Sequence, residues 1–94
     1  MIIAVQYSYA TDAPLAEIRP AHREYLGGLA DDGVIVASGP LTTANGALLI
    51  VSADSPDKAL RILEADPFYI ENCIAERTAE EWLPVIGVLK QYAQ

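Results

Sequence analysis

The stretch Arg19–Pro40 restricts the fold of this chain more than any other. Ile18, His22, Tyr25, Leu26 and Leu29 recur at helical spacing, and Gly33 follows Asp31-Asp32 where a helix would stop. Val34 to Ser38 is then an almost continuous apolar run of strand length, closed by Gly39-Pro40. The only histidine of the molecule therefore sits in the apolar stripe of a helix that leads straight into an interior strand. A polar ring on a core-facing stripe needs a hydrogen-bond partner, because burying it unpaired is unfavourable. The identity of that partner is the main question the sequence poses.

The rest of the chain supplies the frame. Residues 2–9 alternate in the manner of a strand, with Ile3, Val5, Tyr7 and Tyr9 on one face. Thr11-Asp12-Ala13-Pro14 is a turn cluster, and residues 14–18 read as a lead-in turn. The main helix is predicted over 19–31, with Pro20 in its first turn, where its missing N–H has no helical partner to lose. Leu41 to Gly46 is a connector whose Asn45-Gly46 tip favours a hairpin turn, and 47–53 is the third strand, antiparallel to the second. Ser55 and Pro56 cap and start a second helix with Ala59, Leu60 and Leu63 as its buried stripe. Asp66-Pro67 interrupts it, a turn follows over 68–72, and 74 to about 83 is a fourth, polar strand. The order strand, helix, strand, strand, helix, strand predicts an α+β ferredoxin-like βαββαβ fold, a four-stranded antiparallel sheet with two helices on one face. Residues 1–94 are expected to form one domain.

Nothing in the chain covers the other face of that sheet, and 52% of its residues are hydrophobic against 20% charged. A homodimer, or a higher assembly, is the expected remedy. The formal net charge of −7 opposes phosphate backbones and anionic lipid, so neither nucleic acid nor membrane is an expected partner. The basic residues look scattered rather than patched. Cys73 stands alone and reads as a packed thiol in a reducing, cytoplasmic setting. With one His and one Cys no zinc site of ordinary ligands is expected, and no phosphate-binding loop, metal or other cofactor is signalled.

In the predicted fold both helices lie side by side, which brings residues near the second helix within reach of His22. Asp66 is the best candidate, since it continues the stripe of Ala59 and Leu63. A carboxylate against a half-buried imidazole fixes the tautomer and orients the ring as a general acid–base. Asp66 before Pro67 is also an ordinary helix N-cap, and one oxygen can cap while the other accepts from His22. Ser38, Gly39 and Tyr25 are the candidate substrate-binding residues.

Arg19-Pro20-Ala21-His22, with Tyr25-Leu26, Gly33 and Gly39-Pro40, then Gly46 to Val51, Asp66-Pro67-Phe68, and Trp82 with Val85 and Gly87, together resemble the YciI-related (YCII) family over nearly the whole chain. The resemblance implies a dimeric α+β barrel and an active site built on a His-Asp pair that falls on His22 and Asp66. It also implies proton-transfer chemistry on a small cyclic substrate, of the isomerase, lyase or dehydrochlorinase kind. Where many members carry a basic residue and Pro before the Trp, this chain has Glu80-Glu81-Trp82, so the resemblance carries no preference for anionic substrates with it. Two functions are thus expected to compete. One is a small cofactor-free enzyme using His22 and Asp66; the other is a non-catalytic dimeric module that binds a small molecule or another domain.

Overall fold

A computed structural model describes residues 1–93. Its strands are β1 (Ile2–Tyr9), β2 (Ile35–Pro40), β3 (Gly46–Ser52) and β4 (Ile74–Glu81). Its helices are α1 (Leu15–Asp31), α2 (Pro56–Ile62) and the one-turn α3 (Pro67–Ile70), with short 3-10 segments at Leu63–Ala65 and Lys90–Ala93. The strands form one antiparallel sheet in the order β2-β3-β1-β4. This is the ferredoxin-like arrangement, with β1 and β3 central and β2 and β4 at the edges. Pro40, which cannot donate to a ladder, accordingly ends an edge strand.

The alternation read in β1 sets the core. Ile3, Val5 and Tyr7 are buried with Leu49 and Val51 of β3, and Leu26, Ala59 and Leu63 reach them from the helical layer. The opposite face carries Ala4, Gln6, Leu48, Thr78 and Glu80 around a depression of about 210 Å³. Beyond β4 the chain is apolar yet exposed, with Ile86 91% and Val88 92% accessible.

Helix α1 begins at Leu15, four residues before the predicted start, and Pro20 lies inside it. The proline removes one backbone bond, the one that would reach the Ala16 carbonyl. Both residues face solvent, where water can take that carbonyl, so the helix runs through. Its end is as read. Gly33 at φ +79° lets the N–H groups of Gly33 and Val34 close back onto the carbonyls of Ala30 and Leu29, a Schellman stop that turns the chain into β2.

Gly46 has a different role from the expected one. Its φ is not positive, so it does not serve as a left-handed hairpin residue. It opens β3 opposite Ser8, and a Cβ there would collide with the Tyr7 carbonyl of β1. The glycine is required by the close approach of two backbones. Asn72 at φ 60° makes the sharp exit from α3, with Cys73 N–H returning to the Phe68 carbonyl, and so starts β4.

Candidate active site

The site is assembled where α1 packs on α3, with Tyr7 of β1 reaching it through its hydroxyl. Asp66 ends the 3-10 segment and turns into an extended conformation to cap α3, its Oδ1 accepting the Phe68 N–H at 3.0 Å. Pro67 at the first helical position fixes that geometry. The same Oδ1 lies 2.7 Å from His22 Nδ1, and Oδ2 accepts the Tyr7 O–H at 2.8 Å. Asp66 is fully buried, the only buried acidic or basic side chain among the described residues, and these three donors satisfy it. The sequence reading assigned the cap and the histidine to different oxygens. In the structure they share one, because the second is taken by Tyr7.

An ionised Asp66 can only accept, so the Nδ1 facing it carries the proton and Nε2 is the free ring nitrogen. The ring is held on its other side by Phe68, stacked at 3.9 Å between centroids and 13° between planes. Its orientation is therefore set by a hydrogen bond and a stacking contact at once. Tyr7, buried beneath the carboxylate, is pushed well above the usual tyrosine range, first by burial and then by the Asp66 charge; it is a neutral donor throughout the working pH range. Tyr7 was not singled out from the sequence, although its signal is present. A tyrosine at the middle of a core-facing strand register must find a partner for its hydroxyl.

His22 opens onto a cavity of about 250 Å³ between α1 and the end of β2. Pockets for drug-sized ligands run about 300–1,000 Å³, so this one suits a single small ring. Ser38, Gly39 and Pro40 of β2 line the cavity, together with Tyr9 and Phe68. Of the expected binding residues, Ser38 and Gly39 line this cavity. Tyr25 does not. Its hydroxyl donates to the Ile62 carbonyl at 2.6 Å and ties α1 to the end of α2, so it acts as a strut between helices. Arg19 and Arg23 line the cavity as well, which corrects the impression of scattered basic residues: two of the six converge on one opening. Glu80 and Glu81 do not line it. Cys73 is buried and its thiol is pushed up by burial, then by the nearby carboxylates, as befits a packed residue. Among the described residues no three His, Cys, Asp or Glu side chains cluster, and no helix is long and apolar enough to cross a membrane.

The profile of the YCII-related domain matches residues 1–83. The chain belongs to the YCII-related family. A solved relative in fold is 5-chloro-2-hydroxyhydroquinone dehydrochlorinase from Burkholderia phenoliruptrix AC1100, in complex with 2,5-dihydroxybenzoquinone. It matches with a TM-score of 0.75 at 24% identity, over 87% of this chain and 93% of the dehydrochlorinase. A protein of Agrobacterium tumefaciens matches with a TM-score of 0.45 at 17% identity, over 85% and 89% of the two chains. No curated protein matches the YCII-related chain in sequence.

Proposed function

We propose that this YCII-related protein is an acid–base enzyme in which His22 moves a proton on a small cyclic substrate, in an isomerisation or an elimination of the dehydrochlorinase kind. One observation carries the reading: a fully buried carboxylate holds His22 Nδ1 at 2.7 Å and leaves Nε2 for the cavity. In the proposed step Nε2 takes a proton from the substrate, and the imidazolium formed keeps its Nδ1–H on Asp66. The proton then returns to another substrate atom in an isomerisation, or passes to solvent when a leaving anion departs. Ser38 and the backbone of Gly39 would hold the substrate oxygen. No resident metal or cofactor enters this scheme. A homodimer covering the open sheet face and the exposed Ile86 and Val88 completes the proposal, and a monomeric mass by light scattering at micromolar concentration would refute that part.

A second reading, a ligand-binding module with a structural His-Asp bond, is favoured by the two further bonds that Asp66 makes to Tyr7 and Phe68. Exchange of ring hydrogens separates the two. With 2,5-dihydroxybenzoquinone in deuterium oxide, the wild-type protein should speed incorporation of deuterium at the ring carbons. His22→Gln should lose that acceleration, which for positioned acid–base groups is about 10²–10⁴-fold. Equal exchange rates with and without the histidine would overturn the enzymatic reading.

A further inference from the structure

Arg19 and Arg23 stand one helical step apart on α1, with His22 between them on the same face, and all three line the cavity. No carboxylate lines it. Among the described residues the ion pairs are His22–Asp66 and Lys58–Asp54, so neither arginine is neutralised by one. The local sequence shows why. The positions three and four residues from Arg19 hold Leu15, Ala16, His22 and Arg23, and those around Arg23 hold Arg19, Pro20, Leu26 and Gly27. Glu17 and Glu24 sit at offsets that do not face either guanidinium. A like-charged pair at this spacing destabilises a helix by roughly 0.2–0.5 kcal/mol. In a chain with 13 acidic and 6 basic residues, two unneutralised arginines over one opening are the exception. The field of Arg19 also reaches inside, where it opposes the effect of burial on the Tyr9 hydroxyl. Asp66 acts on the same hydroxyl in the opposite sense, with an effect that ranks below that of Arg19, and both of its oxygens are already engaged by Tyr7, His22 and the Phe68 N–H.

We infer that Arg19 and Arg23 form an anion clamp at the mouth of the His22 cavity, and that the substrate is a small ring carrying a negatively charged oxygen, a carboxylate or an ionised enol. The inference rests on the acid–base reading above and names its substrate class. Guanidinium groups match such oxygens in charge and in planar geometry. Arg19 is three residues from His22, about 5 Å along the helix axis. A ring anchored by its anionic oxygen at the mouth can therefore present a carbon to Nε2.

Benzoate and benzamide, equal in shape and different in charge, test the clamp. Each is titrated into wild type, Arg19→Gln, Arg23→Gln and the double variant, with the backbone and the His22 ring followed by NMR. Arg23 is exposed and Arg19 half-buried, and Gln is a good helix former, so the variants should keep their circular dichroism. Wild type should bind benzoate at least tenfold more tightly than benzamide and more weakly as salt rises, with the His22 signals moving. Each single variant should weaken benzoate several-fold and the double variant more than tenfold, with benzamide unaffected. Equal affinity for both probes, salt-independent binding, or a double variant that holds benzoate like wild type would overturn the clamp. If His22 still responds to benzamide in those cases, the acid–base reading stands without it. A His22 ring that responds to neither probe overturns both.

Discussion

Replacing Asp66 by Asn rather than Ala separates the geometry of the site from its charge, and the structure fixes the outcome in advance. The Phe68 N–H can only donate, and it points at Oδ1. An amide at position 66 must therefore place its carbonyl oxygen there and its NH₂ group toward Tyr7, whose hydroxyl can turn and accept. His22 Nδ1 then still faces an acceptor, so Asp66→Asn should preserve the tautomer with Nε2 unprotonated. Asn caps helices about as well as Asp, so the α3 cap survives. What is lost is the strength that ionic charge lends to the hydrogen bonds, offset in part because a buried charge is no longer present. The expected net loss is about 1–2 kcal/mol. Asp66→Ala is a different perturbation. It removes the cap, about 1 kcal/mol. It also strands the Tyr7 hydroxyl in the core, about 1–3 kcal/mol, and deletes the bond to His22, about 1 kcal/mol. The sum, roughly 3–5 kcal/mol, is a large share of the total stability of a small domain, typically about 5–15 kcal/mol. Urea unfolding followed by circular dichroism measures both losses, and long-range ¹H–¹⁵N correlation spectra of the imidazole report the tautomer. Asn as damaging as Ala, or an Asn variant whose histidine carries its proton on Nε2, would refute the claim that the helix cap dictates which atom faces His22.

The remaining predictions concern the backbone and the buried tyrosine. Tyr7→Phe leaves Asp66 Oδ2 without its donor and should cost about 1–3 kcal/mol at neutral pH. Because the native state holds the Tyr7 proton more tightly than the unfolded chain does, the stabilisation is complete below about pH 10, where unfolded tyrosine begins to ionise, and is lost progressively above it. The gap between wild type and variant should thus hold from about pH 8 to 9 and shrink as the pH passes about 10 in urea titrations, and a gap that stays constant to about pH 11 would contradict the assignment. Gly46→Ala forces a methyl group against the Tyr7 carbonyl and should destabilise by about 1–3 kcal/mol; a change under about 0.5 kcal/mol would mean the strands can move apart freely.

Much of this structure could be read from periodicity alone. The alternation of β1, the Ser55-Pro56 start of α2, the Gly33 stop and the antiparallel β2–β3 pairing each follow from local chemistry that nothing tertiary overrides. Pro20 misled because the penalty for an internal proline depends on whether the orphaned carbonyl reaches water, which a sequence does not record. Gly46 misled for a related reason: its neighbour is the carbonyl of Tyr7, thirty-nine positions away, and only the folded register reveals it. At the site, the approach of His22 to Asp66 followed from an unsatisfied ring on one helix and a carboxylate on the stripe of another. Tyr25 shared the face of His22 in the pattern, but helix α1 touches different neighbours along its length, and at Tyr25 that neighbour is the end of α2. Tyr7, Arg19 and Arg23 had legible positions and no evident partners until the fold set the first against Asp66 and the other two on the cavity.

The double duty of Asp66 bears on how related sequences should be compared. A single oxygen both caps α3 and faces His22, and its twin anchors a core tyrosine, so the carboxylate is retained by selection for folding whether or not any reaction is performed. A descendant selected for folding alone would keep Asp66 and could change Arg19 and Arg23, and could change His22 for the loss of one hydrogen bond and the stack on Phe68. Among relatives of this chain, an aspartate at this place therefore records only a common architecture. On the proposed acid–base reading, the identities of the three residues on α1 would tell which of them are equipped to act on a substrate.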